Sequence, residues 1–287
     1  MALSDSFLSH SIITIYIFFF NIPLCAKLYL HITEWSIWLS EAFLFFIFSC
    51  IYVFLVFMNK IADFNDLPFS PKKLAFSSEG YSLQFFCPEN PDIVLDSISD
   101  SDYNKDQFLP YWAQHWPSAQ QFLSYILQYP FKTDIEVCEL GCGLGVLSTA
   151  FMIRKCKTFS IDISHHACRY SHQNIMLNGC IPKVLCSDWR NIGLNKRFDL
   201  IAASDIIYES RWVEPVLSCM NSMLLPDGKA WIADPCRRYW DPFKMRAKEL
   251  GFILRTLKYE KVTEKKMEIE ILELSRGKNR LLNQVLY

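Results

Sequence analysis

Five acidic residues in this chain stand at the ends of short apolar runs: Glu139, Asp162, Asp188, Asp205 and Asp234. A carboxylate in such a place is held by a strand and still reaches the space beyond the sheet edge. At that edge Asp162 can accept hydrogen bonds from both hydroxyls of a ribose. Asp188 can accept from an adenine amino group, with the Trp189 ring packed on the base. Simpler readings stand beside these, with Asp162 as a helix-capping residue and the Asp188–Trp189 pair as ordinary surface and core.

Three glycines, Gly141, Gly143 and Gly145, follow Glu139 at every second position in EVCELGCGLGV, residues 136–146. Glycine turns sharply and lets a ligand approach the backbone with no Cβ in the way. A strand, a glycine turn and a helix together aim helix-start N–H groups above the sheet edge. This is the loop of a nucleotide-like cofactor. The dinucleotide fingerprint G-x-G-x-x-G/A does not fit, because the spacing breaks immediately after Gly143-Leu144-Gly145.

The elements needed to hold these residues are legible around them. Strands are expected over Ile135–Glu139, Thr158–Ile163, Pro182–Cys186, Phe198–Ala203 and Lys229–Ala233. Helices are expected over Leu147–Cys156, His165–Leu177, Trp212–Leu225 and Phe243–Leu250, with Pro226-Asp227-Gly228 as a turn. Alternation of strand and helix predicts a parallel sheet covered on both faces. Two last strands, Ile253–Val262 and Met267–Leu274, have no helix between them and should pair as an antiparallel hairpin. Upstream, apolar spacing at Phe122, Leu123, Ile126 and Leu127 predicts an amphipathic helix preceded by Tyr111, Trp112 and Trp116. Residues 73–95 read as a β-hairpin broken at Glu79-Gly80, and the acidic, Ser-rich Asp96–Asp106 as a loop.

Composition narrows the function classes. The net charge is −1 and no long basic run exists, which disfavours a nucleic-acid partner, since that needs clustered cations. The 11 cysteines form no C-x-x-C pair or zinc-finger spacing, so reduced thiols are expected, with no metal.

The acidic-Leu-Gly-x-Gly-x-Gly pattern of Glu139–Gly145 resembles motif I of class I S-adenosylmethionine-dependent methyltransferases. The segment Ser204-Asp205-Ile206-Ile207-Tyr208 lacks the proline pair of enzymes that methylate planar amide or base nitrogens. With Tyr111-Trp112-x-x-x-Trp116-Pro117-Ser118-Ala119 and Asp188-Trp189, it resembles the seven-β-strand protein-lysine methyltransferases, those acting on the electron-transfer-flavoprotein β-subunit above all. The likeness spans about residues 74–274. It implies S-adenosylmethionine as cofactor, held by Trp116, Glu139, Gly141, Gly143, Gly145, Asp162, Asp188, Trp189 and Ser204. It implies active-site roles for Asp205 and Tyr208, a protein lysine as acceptor and a monomeric catalytic domain. A methyltransferase of small-molecule or lipid-phase substrates is the alternative. A carboxylate such as Asp205 favours the ammonium form of lysine, so it suits docking and charge balance better than the role of sole base.

Residues 1–58 depart from that resemblance. Ser6–Ala26 and Ala42–Asn59 contain no Asp, Glu, Lys or Arg, and each approaches the ~20 residues that span a bilayer as a helix. A membrane hairpin within residues 7–57 is expected, with a cytoplasmic catalytic domain beyond it. The other readings are a translated upstream region, with Met58 as the start of the mature protein, and a cleaved signal. The expected organisation is residues 1–58 as the hydrophobic segment, 59–108 as linker and hairpin, and 109–287 as the methyltransferase domain.

Overall fold

The structure is a computed structural model that describes residues 67–78, 80–262 and 267–277. The expected membrane hairpin lies outside the described residues. Among those described, no helix is long and apolar enough to cross a membrane.

Val137, Cys138 and Leu140 are buried completely, so strand β3 (Glu136–Leu140) is apolar on both faces, as a central parallel strand must be. It lies between β4 (Lys157–Asp162) and β6 (Phe198–Ser204), with β5 (Val184–Cys186) beyond β4. On the other side follow β7 (Leu224–Asp234), β9 (Met267–Arg276) and β8 (Phe252–Val262). The seven-stranded order is β5-β4-β3-β6-β7-β9-β8. Strands β3 to β7 run parallel, and β9 enters antiparallel to both β7 and β8. This is the class I methyltransferase fold expected from the alternating pattern. From β3 the chain runs outward to β4 and β5, then crosses back to β6 on the other side of β3. A crevice opens where the two directions part, at the carboxyl ends of β3 and β6.

A second sheet is the hairpin of β1 (Pro71–Ser78) and β2 (Tyr81–Pro88). Helix α5 (His165–Leu177) secures it. The Asn174 side chain accepts from Phe86 N at 2.6 Å and donates to Phe86 O at 2.9 Å, while Asn178 does the same to Gln84 at 3.0 and 2.7 Å. Two asparagines one turn apart thus mimic a neighbouring strand. Helix α3 (Pro117–Gln128) buries Phe122, Leu123, Ile126 and Leu127 as its spacing predicted.

Two expectations are corrected. Most of residues 96–106 are not a loop: α1 (Pro91–Asp96), capped by Asn90, leads through a short turn at 97–99 into α2 (Asp100–Asp106). Tertiary contacts outweigh the turn-like composition, because Arg190 binds the Asp106 carboxylate at 2.6 Å and Arg211 donates to the Asp106 carbonyl at 2.7 Å. Nor does the Pro226-Asp227-Gly228 turn precede strand β7. Leu224 already pairs with Phe198, the next matched pair is Leu200 with Lys229, and the residues between bulge out within the strand. A Cβ on Gly228 would stand 2.8 Å from the Phe198 carbonyl oxygen, so the bulge needs glycine there. The fully buried Leu224 starts the strand before the turn residues are reached. Two further helices complete this half, α6 (Val213–Met223), after a short 3-10 turn at Ser210–Trp212, and α7 (Trp240–Glu249). Helix α4 (Val146–Ile153) follows the glycine loop.

Candidate active site

The crevice is a cleft of about 900 Å³, counted to its open mouth. Its floor is the glycine loop, its sides are the ends of β4 and β6, and its roof is the aromatic segment of residues 108–116. Of the residues expected to serve a cofactor or catalysis, Trp116, Glu139, Gly141, Gly143, Asp162, Asp188, Trp189, Ser204, Asp205 and Tyr208 all line it. Gly145 does not. It starts α4 with φ +75°, and a Cβ there would meet Ser171 Oγ at 2.6 Å. Its glycine serves close packing of α4 on α5.

The two carboxylates on the floor shape the loop. Glu139 accepts from Ser148 N at 2.8 Å and from the Ser148 hydroxyl, joining the end of β3 to the first turn of α4. Asp162 accepts from Gly143 N at 2.8 Å with one oxygen and from Ser164 N at 2.9 Å with the other. The helix cap is instead Ser164, whose Oγ accepts from Ala167 N at 3.3 Å; Asp162 steadies the turn into that cap and keeps its place in the cleft, since each of its oxygens keeps a further lone pair. Burial pushes Glu139 up to about 8 and Asp162 up to about 6, against the pull of those hydrogen bonds.

Gly141 (φ +66°) leaves the wall just enough room: a Cβ would stand 2.8 Å from Ile206 Cγ2 and 3.2 Å from the Trp189 ring. Trp189 in turn packs edge-on against Trp212 at 5.4 Å. The Asp188 carboxylate is ion-paired with Arg190 at 2.5 Å, and Arg190 also holds Asp106. This links the expected adenine end of the cleft to α2.

At the other end stands Asp205, 8% exposed and in the left-handed region at φ +59°, a conformation Asp tolerates better than most residues. Its N–H donates to Ala233 O at 2.9 Å, extending the β6–β7 pairing by one bond. Its carboxylate accepts from Ser204 Oγ at 2.9 Å and Ser118 Oγ at 3.3 Å, and pairs with Arg237 Nη2 at 2.8 Å. Burial raises its pKa, and the Arg237 guanidinium is the chief influence holding it down. Tyr208 meets the Tyr111 ring at 4.9 Å, and Tyr111 meets Trp116 at 6.1 Å. The Trp116 indole N–H donates to the Tyr111 carbonyl at 2.8 Å. These three rings frame the mouth beside Asp205. Burial also raises the Tyr208 phenol well above its usual range.

Sequence reasoning missed Arg237, three residues past Asp234 at the end of β7. The signal that could have found it is the one that found the acidic residues, a charged side chain at a strand's carboxyl end. It also missed Ser118 as a partner of Asp205, since that contact joins α3 to β6 across 87 positions.

The residues suit the expected cofactor by donor set. One cleft holds a carboxylate, Asp162, of the kind that accepts from sugar hydroxyls, an indole, Trp189, of the kind that packs on a flat base, and aromatic rings with a buried carboxylate, which suit a sulfonium. Among the described residues no cluster of His, Cys, Asp and Glu could hold a metal ion.

No curated protein matches the chain. Solved structures with this fold include a 16S rRNA N2 G1207 methyltransferase from T. thermophilus, in complex with AdoMet and guanosine. It is 14% identical, with a TM-score of 0.53 over 73% of this chain and 52% of its own. A ribosomal protein L11 methylase from Lactobacillus delbrueckii subsp. bulgaricus is 16% identical, with a TM-score of 0.47 over 57% of this chain and 81% of its own. The magnesium protoporphyrin IX methyltransferase of Synechocystis PCC 6803, with bound SAM, is 16% identical, with a TM-score of 0.46 over 65% of this chain and 97% of its own. These likenesses concern the fold. Residues 131–278 of the 287, which hold every strand of the large sheet, match the family described as methyltransferase domain. The chain belongs to that family.

Proposed function

We propose that this methyltransferase uses S-adenosylmethionine to methylate a lysine side chain of a protein. The observation that carries this reading is the mouth beside Asp205. Three aromatic rings follow one another, Tyr208 to Tyr111 at 4.9 Å and Tyr111 to Trp116 at 6.1 Å between centroids, and the buried Asp205 carboxylate lines the same cleft. A flexible amine on a long aliphatic stem fits such a frame, because ring faces attract a cation and also cover methylenes. The turn after β6, Asp-Ile-Ile-Tyr, carries no proline pair for a planar nitrogen.

When bound, S-adenosylmethionine supplies a sulfonium methyl for in-line displacement. The chain's own residues do the rest. Asp162 faces the ribose hydroxyls while steadying Gly143. Trp189 covers the base and Asp188 faces its amino group. Glu139 and Ser148 keep the glycine loop closed onto α4. The rings of Tyr111 and Tyr208 orient the amine and exclude water, and Asp205 balances charge beside it. Alignment of this kind supplies most of the rate in a displacement that needs little other chemistry. The amine gives up its proton to water, since a lysine attacks only as the free base.

The full chain, incubated with tritiated S-adenosylmethionine and cell lysate, should label protein. The label should survive ribonuclease, vanish with protease and map by mass spectrometry to lysine. Asp205→Ala should lower labelling at least ~100-fold, since it unbalances a buried cation and the mouth together, while cofactor affinity stays within ~3-fold. Unchanged labelling would sink the assignment of Asp205. Label in an organic extract would favour the second reading, a lipid-phase acceptor, which the charge-free stretches within residues 7–57 support. Those stretches also lead us to propose that the catalytic unit is anchored at the cytoplasmic face of a membrane. Carbonate-washed membranes that retain the full chain are the expected outcome, and complete release would overturn it.

A further inference from the structure

Arg237 is a buried-site cation that the mechanism above leaves without a task. Its guanidinium pairs with Asp205 at 2.8 Å and lies 5.3 Å from the centre of the Trp116 ring. Its backbone N–H donates to Asp234 Oδ1 at 2.9 Å, and its Nη1 lies 3.6 Å from Asp234 Oδ2. It therefore joins the roof segment to the ends of β6 and β7 around one carboxylate. The backbone on both sides of the pair is held in the left-handed region, with Asp205 at φ +59° and Cys236 at +54°. Such conformations cost of order 1–3 kcal/mol each and persist where the surroundings over-determine them, commonly at functional sites.

The pairing answers a chemical difficulty. A bare carboxylate beside an amine stabilises the ammonium by roughly 1–3 pKa units, and an ammonium has no lone pair with which to attack a methyl group. A carboxylate already paired with guanidinium, which stays protonated at every working pH, exerts far less of that pull. We propose that Arg237 is a specificity-determining residue that, by occupying Asp205 with a permanent cation, keeps the acceptor mouth from favouring the ammonium over the neutral amine that can attack. This rests on the amine-acceptor reading and deepens it. The groups facing Asp205 are all accounted for in that balance: Ser118 Oγ from α3, Ser204 Oγ from β6, Arg237, and the repelling carboxylate of Asp234 from β7.

The test needs no acceptor protein. Sinefungin carries a primary alkyl amine where the methyl-bearing sulfonium stands, and S-adenosylhomocysteine has no group there. Titration calorimetry on the full chain gives the two dissociation constants, and their ratio cancels whatever the ribose and base contacts do. Sinefungin preference should change less than ~3-fold in the wild type between pH 7 and 10, across which an alkyl amine gains or loses its proton. In Arg237→Gln the preference should rise by about tenfold as pH falls across that range, one pKa unit being tenfold, and Arg237→Lys should stay near wild type. Asp205→Asn should lower the preference. A wild-type preference that climbs about tenfold with protonation overturns the proposal without need of any variant. So does an Arg237→Gln protein in which both ligands weaken alike. If Asp205→Asn shifts the ratio and Arg237→Gln does not, the Arg237 role fails alone. If neither shifts it, the amine-acceptor reading fails with it.

Discussion

Glu139 and Asp162 hold the glycine loop and line the cleft, and their titration tests whether they also serve the proposed cofactor site. Burial lifts them to about 8 and about 6 in the folded chain, above the ordinary carboxylate values of about 4. As pH rises from 4 the unfolded chain therefore loses these protons first, so their contribution to stability is fullest at low pH and declines as pH climbs toward 8. A cationic cofactor favours the ionised carboxylates. S-adenosylmethionine should accordingly bind more tightly at pH 8 than at pH 5.5, by up to about fourfold through Asp162, already partly ionised at pH 5.5, and by more through Glu139. Thermal melting of the free protein should meanwhile fall over the same range. Calorimetry and melting curves at three pH values check both trends, and a flat affinity profile would remove these carboxylates from the cofactor's surroundings. Arg237 shows the limit of reading residues singly. It stands in plain view in Cys236-Arg237-Arg238-Tyr239, yet only folding brings it to Asp205.

At the scale of elements, the glycines divide by what lies opposite them. Gly141 faces the Ile206 and Trp189 side chains of the cleft wall, whereas Gly145 faces Ser171 in the packed joint of α4 and α5. Gly145→Ala should destabilise the fold by roughly 1–3 kcal/mol through its left-handed φ and the clash, seen in denaturant midpoints, with little change in affinity for any cofactor that survives. Gly141→Ala, at φ +66° and with its Cβ 2.8 Å from Ile206 Cγ2, should destabilise by a similar amount and in addition markedly weaken cofactor binding. Asn174 is the second joint. Its amide serves Phe86 N, Phe86 O and Leu144 O, so Asn174→Ala removes two part-buried bonds to the hairpin and the partner of the buried Leu144 carbonyl, the last at about 1–3 kcal/mol. Hydrogen exchange should accelerate first in Gln84–Pro88, and protection there unchanged would mean the hairpin is held by packing alone.

Over the whole molecule, the seven-stranded sheet brings the ends of β3, β4, β6 and β7 to one edge, although 95 positions separate Glu139 from Asp234. The roof comes from before the sheet, at residues 108–116, and is locked down by Trp116 against Tyr111 and Arg237. The Asp188 end of the cleft is tied to α2 through Arg190 and Asp106. The Asp205 end is closed by residues from three distant parts of the chain, so under the proposed reading substrate choice is a property of the assembled fold.

Local patterns determined the order of strands and helices, the span of α5 and the identity of the glycine loop. Each of these rests on neighbours in the chain: alternation, helical spacing, and the backbone freedom of glycine. The acidic residues at strand ends were legible for the same reason. The helical state of most of residues 96–106, the bulge inside β7, the packing role of Gly145 and the pairing of Asp205 with Arg237 were decided by the tertiary structure. Each depends on a partner far away in sequence, respectively Arg190 and Arg211, Phe198, Ser171, and the far side of the cleft. Hydrogen bonds and ion pairs over such separations leave no period in the sequence to be read.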